Sequence, residues 1–344
     1  MSSQAFNFKT VKIKYFFGFF ACWALLTSLN LYFLIDGEYG KMFLDARSLG
    51  IADSVGRMNL AKDPAYFLLQ NISAGFIEFQ IFFGALIFFC LMLKFIALLQ
   101  INSKSNLLDV APYLLVLGLL HEGIQIRIAI ALSIALWSII FFAKRQYLYS
   151  VALLIIASTF HISASTFFLV FTLVVLYERL GRCVVGCGLT VAALLAYSPI
   201  VPNLVLKVGE LTNARFLSYA GQDFIKIQNS TGLFEFYILF VMLLTIFIGK
   251  FYVPVNEIWR RLYQIGIASG ILAVTILQVF RFSVVVSSRL ADLLLLPVLL
   301  VLGATLSQLK DEKRYWLLCG TILILVFYCI ARGYVSFHPG SKVL

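Results

Sequence analysis

The sequence predicts an all-α, polytopic integral membrane protein with about 11 transmembrane helices, and three observations carry that prediction. Of the 344 residues, 62% are hydrophobic and only 12% charged, with a mean hydropathy of +0.97; soluble domains carry about 25% charged residues. The apolar residues gather into runs long enough to cross a bilayer, separated by short polar breakers. The basic residues concentrate on alternate breakers, as they do when one side of a membrane faces the cytoplasm. No stretch reads as a separate soluble domain, so residues 1–344 are taken as a single transmembrane domain.

The first apolar run, YFFGFFACWALLTSLNLYFLI (15–35), follows KTVKIK. It is too long for a signal-peptide core and lacks a small-residue cleavage site, so it reads as a retained first span. Further runs follow at about 73–99, 107–121, 127–143, 147–160, 163–178, 183–203, 233–250, 263–280, 289–308 and 315–331. Several are short, which suits tilted or partly re-entrant helices shielded by their neighbours.

Placing the N-terminus in the cytoplasm gives the inner segments 15 basic and 5 acidic residues, counting Lys94 as snorkelling inward from its span. The outward segments then hold 12 basic and 11 acidic residues, and an odd number of spans puts the C-terminus outside. The net charge of +11 is thereby explained by topology, and nucleic acid is not needed as a partner. The outward side also receives two longer loops, 36–72 and 204–232, and all three histidines, His121, His161 and His338. Chemistry is therefore expected on that side.

The six cysteines all lie in apolar runs, without a CxxC or a Cys/His cluster, so metal and disulfide chemistry are not expected. No P-loop, GxSxG, HExxH or dinucleotide fingerprint occurs.

Three stretches hold groups suited to chemistry. In HEGIQIR (121–127), Arg127 heads an apolar run closed by Lys144-Arg145. At that depth Arg127 is either an interfacial residue reaching for lipid headgroups or an anion clamp, its planar fork matching phosphate oxygens. Glu122 is a candidate partner for it. In IIASTFHISASTFF (155–168), His161 falls at an outward turn among Ser and Thr residues. It reads as a general acid or base, or as a cap on the adjoining helix ends. In QVFRFSVVVSSRLADLLLLP (278–297), Arg281 and Arg289 bracket a short outward hairpin, and Asp292 is spaced to pair with Arg289 on a helix.

The loop 206–232 mixes Arg215, Tyr219, Gln222, Asp223 and Lys226 with apolar residues, a blend that suits an interfacial segment or a sugar site. In the first loop Asp36, Asp45, Asp53 and Asp63 read as solvated residues. Asn71 (NIS) and Asn229 (NST) match a glycosylation pattern that matters only in a eukaryotic secretory setting.

Together, IQIRIAIALSIALW, its basic closure AKRQYLY and the following FHISA resemble the EpsG family, which belongs to the Wzy-type polysaccharide polymerases. The stretches LIDGEYGKMFLDA, RFLSYAG and SSRLADLLLLP fit the same pattern. The more specific likeness covers residues 123–165, and it departs from the family in having Arg127-Ile128 where an Arg-Gln pair is expected, with Gln125 two residues earlier.

The resemblance implies a GT-C-like polymerase bundle in the bacterial inner membrane. It would join undecaprenyl-pyrophosphate-linked oligosaccharide repeat units into O-antigen, capsule or exopolysaccharide at the periplasmic face. The growing chain would leave its lipid pyrophosphate for the non-reducing end of an incoming unit. In that scheme Arg127 and Arg289, with Arg281 and Arg215, would bind the pyrophosphate without a metal or other cofactor. His161 would be the catalytic base, ahead of Asp223 and Glu122. Tyr219, Gln222, Asp223 and Glu122 would meet the sugars. Partners would be lipid-linked donor and acceptor, membrane lipids and a chain-length regulator.

Three other readings stay open. A membrane O-acyltransferase would be of similar size but carry an arginine-histidine signature in its first span, absent here. A flippase or transporter would show pseudo-repeated halves. An O-antigen ligase would share the leaving group and differ in acceptor.

Overall fold

The computed structural model describes residues 23–25, 27, 38–48, 63–101, 113–118, 125–181, 186, 207, 257–280, 284–307 and 320. Among these every regular element is helical. They form α1 (Glu38–Ser48), α2 (Pro64–Ala74), α3 (Phe79–Ile101), α4 (Ile126–Ala143), α5 (Tyr147–Phe160), α6 (Thr166–Leu180), α7 (Glu257–Val279) and α8 (Val284–Ser307). A π-helical turn at Leu114–Gly118 and a 3-10 turn at Ile162–Ser165 complete the set. Four stretches are long and apolar enough to cross a membrane: Phe79–Ala97, Ile126–Ala143, Ile162–Leu180 and Glu257–Val279.

Helix α4 is apolar on every side, and a helix of that kind belongs in the middle of a bundle. It packs against α3, α5, α7, α8 and the 3-10 turn, and nearly all its side chains are buried. By contrast α5 exposes Leu148, Val151, Ile155 and Ile156 along one side, a surface suited to lipid.

Side-chain hydrogen bonds fix the register. Ser133 Oγ donates to Cys90 O (3.2 Å) and Trp137 Nε1 to Leu93 O (3.1 Å), so α3 and α4 run parallel. A tight turn reverses the chain after α4. Arg145 takes a left-handed backbone (φ 61°), the Arg145 N–H donates to Phe142 O and the Gln146 N–H to Phe141 O, closing a Schellman motif. Helix α5 then returns antiparallel, with Ser138 Oγ bonded to Ser150 O (2.7 Å).

Helices α7 and α8 form a second antiparallel pair. Pro297 lies inside α8, and Ser269 of α7 donates to the carbonyl three residues before it, Leu294 O (2.7 Å). Gly266 lets the two backbones approach; a Cβ there would meet Val301 Cγ2 at 3.0 Å.

At one end of the bundle Arg261, 1% exposed, ties its own helix α7 to α4, α5 and α6. Its Nε and Nη2 donate to the Glu178 carboxylate (3.0 and 3.3 Å), Nη1 to Phe142 O at the end of α4 (3.1 Å), and Nη2 to Tyr147 Oη (3.2 Å). Arg145 and Glu257 pair beside it at 2.6 Å. Ends that the sequence assigns to one side of the membrane are thus gathered at one end of the bundle.

Several expected boundaries shift. The expected loop 36–72 contains α1 and most of α2. Helix α7 begins at Glu257 and α8 at Val284, six and five residues ahead of the expected spans, because charges that stop an apolar run stay inside a helix when they are paired or placed at its rim. Lys94 does not snorkel. It is 1% exposed, and its ammonium reaches back along α3 to donate to Ser133 Oγ (2.7 Å) and Ala129 O (3.2 Å). The expected spans 183–203, 233–250 and 315–331 fall outside the described residues apart from isolated positions, as does most of 15–35.

Candidate functional site

The end of the bundle opposite Arg261 is built by the heads of α3, α4 and α8, the tails of α5 and α7, and the short helix α2. Pro64 starts α2, and its fixed φ suits the first helical position. Asp63 stands at the N-cap but makes no side-chain capping bond. Its carboxylate accepts from Arg127 Nη1 at 2.7 Å, and the guanidinium lies 5.9 Å from the centre of the Tyr66 ring. The Asp63 side chain is 2% exposed and that of Arg127 26%. Arg127 therefore takes its ion pair from Asp63, where the sequence offered Glu122, which lies outside the described residues. The reading of Asp63 as a solvated loop residue is corrected by its burial beneath α2, whereas Asp45 is exposed as expected.

Helix register places His161 at the depth of this pair. Arg127 lies eleven residues before Ser138, and His161 eleven after Ser150. Ser138 and Ser150 touch across the antiparallel α4–α5 pair, so the two residues fall at one depth. Eleven residues make about three full turns, so each also shares its serine's side of its own helix. His161 ends α5 with an extended backbone (φ −158°), and its Nδ1 is hydrogen-bonded to Ser163 Oγ. The following 3-10 turn packs on α4, α5, α6 and α8, with Ala164 fully buried among them. His161 is thus both a helix-end residue, bonded to a neighbouring serine, and a half-buried imidazole at the level of Arg127.

Arg289 occupies the same end, because α8 begins there. It stands more than a turn inside α8, not at the mouth of a hairpin, and it is exposed, while Asp292 three residues on is 2% exposed. Arg215, Tyr219, Gln222, Asp223 and Arg281 lie outside the described residues.

Helix α2 adds Gln70, which the sequence reading passed over, beside Asn71, read there only as part of a glycosylation pattern. Gln70 and Asn71 are 2% and 3% exposed. Asn71 Nδ2 donates to Phe67 O at 2.7 Å, so this asparagine is buried with its amide oriented along α2 and is not an accessible glycosylation acceptor. The sequence signal for α2 was Asp63-Pro64, an N-cap residue before a first-turn proline. Outside α2, Arg47 at the end of α1 pairs with Glu78 just before α3 (2.9 Å). Through that hydrogen bond, and then its charge, it holds the Glu78 carboxyl below the usual glutamate range. Among the described residues no three His, Cys, Asp or Glu side chains gather as a metal site.

A family model described as the EpsG family matches residues 14–341. No curated protein and no solved structure matches the chain.

Proposed function

The chain belongs to the EpsG family, the family of Wzy-type polysaccharide polymerase-like proteins, and on that premise we propose that it polymerises undecaprenyl-pyrophosphate-linked oligosaccharide repeat units. The product is O-antigen, capsule or exopolysaccharide, made at the periplasmic face of the bacterial inner membrane. The observation that best supports this reading is the pairing of depth between Arg127 and His161, at the end opposite the basic Lys144-Arg145 turn.

In the proposed reaction an acceptor sugar hydroxyl attacks the anomeric carbon of the donor chain. A C–O bond forms there, the C–O bond to the pyrophosphate breaks, and the lipid pyrophosphate departs with the electron pair. His161 takes the hydroxyl proton. Arg127 and Arg289, joined by Arg281 and Arg215, meet the charge that grows on the leaving group, a task suited to fixed donors in a site poor in water. Glu122, Tyr219, Gln222 and Asp223 are proposed to contact the sugars. A single displacement inverts the anomeric centre. The chemistry needs no metal or other cofactor, so chelator leaves turnover unchanged.

The test is reconstitution of the purified chain with lipid-linked repeat units, without nucleotide or metal. A product ladder spaced by one unit, lost in Arg127→Ala at equal protein abundance, is expected. A single unextended band from active wild-type protein would turn the assignment toward transfer onto another acceptor or toward transport. Wild-type activity is also expected to fall in acid as the imidazole protonates, and that acid limb to vanish in His161→Ala along with most of the rate. A retained acid limb would remove His161 from the base role.

A further inference from the structure

Helix α2 buries a polar face in an apolar setting. Asp63, Tyr66, Gln70 and Ala74 follow at the three- and four-residue spacings that share one side of a helix, with Asn71 beside them. Tyr66 and Ala74, one turn before and one turn after Gln70, belong to the same apolar cluster as Phe83, Ile87, Ile126 and Ile130. Within that setting Gln70 Oε1 and Asn71 Oδ1 have no hydrogen-bond partner among the described residues. The Asn71 amide is oriented by its bond to Phe67 O, which leaves its oxygen as the outstanding acceptor. Two unmatched carboxamide acceptors side by side are costly in a folded core, and such atoms are rarely left so without a reason.

We propose that this face is a carbohydrate-hydroxyl subsite for the sugar attached directly to the lipid pyrophosphate, a deepening that rests on the polymerase reading. The spacing supports that ligand. Gln70 stands about 10 Å along the helix from Asp63, and Arg127 is held at Asp63 and Tyr66. An anion-binding guanidinium and the Gln70 acceptor therefore lie along one helix face, with the Asn71 acceptor on the next residue, in the order that a glycosyl pyrophosphate presents its charge and its sugar. A hydroxyl both donates and accepts, so it satisfies either end of the Gln70 amide. Entry of the ligand exchanges one anion for another: pyrophosphate takes Arg127 from Asp63, frees the first turn of α2, and admits the sugar to Gln70 and Asn71.

The experiment uses the full chain in nanodiscs and two radiolabelled probes, undecaprenyl pyrophosphate alone and the same lipid carrying one sugar. Wild-type protein is expected to bind the sugar-bearing lipid about tenfold more tightly, the worth of one or two hydrogen bonds. Gln70→Met should erase that preference while leaving affinity for the bare lipid and the melting temperature unchanged or higher, since it removes an unmatched amide. Asn71→Thr should reduce the preference partway.

A preference that survives in Gln70→Met overturns the subsite and leaves the polymerase reading standing. So does a lowered melting temperature with equal loss of both affinities, which would make Gln70 a structural amide satisfied by water. Failure of wild-type protein to bind either lipid, or binding that Arg127→Ala does not weaken, would instead remove the polymerase reading and the subsite with it.

Discussion

An aspartate at a helix N-cap ordinarily turns back onto its own first-turn N–H groups; Asp63 gives its carboxylate to Arg127 instead. That choice makes the pair testable apart from any reaction. Breaking a buried ion pair costs about 3–5 kcal/mol. Because a quarter of Arg127 is exposed, Asp63→Ala is expected toward the low end of that range, read as a lower melting temperature. The exchange Asp63→Arg with Arg127→Asp should restore part of the stability and none of the polymerisation, since the fork would then sit on the wrong helix. Recovery of both would mean that the pair serves the fold alone. Arg127 was legible in the sequence because a lone charge heading an apolar run is conspicuous. Asp63 was not, because four aspartates between residues 36 and 72 look alike until α2 docks on the bundle.

At the scale of elements, helices α4 and α5 match their expected spans within a residue because each is bounded by a polar turn that interrupts the apolar run. Helices α7 and α8 were expected to start late, at Tyr263 and Arg289, since hydropathy counts Arg261 and Arg289 as the edges of a span. Arg261 is instead sunk among Glu178, Tyr147 and the carbonyls ending α4, which no local pattern announces. Two contacts decide how α7 meets α8. Gly266→Val is expected to lower stability by about 1–3 kcal/mol through overpacking against Val301. Ser269→Ala should cost about 1 kcal/mol by removing its hydrogen bond to Leu294 O. Thermal melts in detergent check both, and a neutral Gly266→Val would mean that the hairpin relaxes freely.

The link from α1 to α3 carries a pH signature. Arg47 lowers the Glu78 pKa in the folded chain, so the pair contributes fully above the ordinary glutamate range, and the contribution fades as acid protonates Glu78. Glu78→Gln should therefore differ from wild type slightly at neutral pH and not at all in strong acid. A difference that grows in acid would contradict the pairing. Both side chains are exposed, so the effect at neutral pH is small.

Taken whole, the molecule has unlike ends. One is fastened by Arg261, and Arg261→Ala, which leaves Glu178 without its donor, is expected to cost about 3–5 kcal/mol. The other gathers Arg127, His161 and the polar face of α2. The helical class and the grouping of like ends were readable from composition and basic breakers. The depth match of Arg127 and His161 needed the serine contact that sets the α4–α5 register. The α7–α8 pair, finally, bears on how the chain is made. Helix α8 carries Arg289 and Asp292, and alone in lipid it would expose two charges. Helix α7 lies antiparallel against it, with Ser269 bonded to Leu294 O. Biogenesis therefore favours release of α7 and α8 from the insertion machinery as one hairpin, with α7 waiting at the exit until its partner has been synthesised.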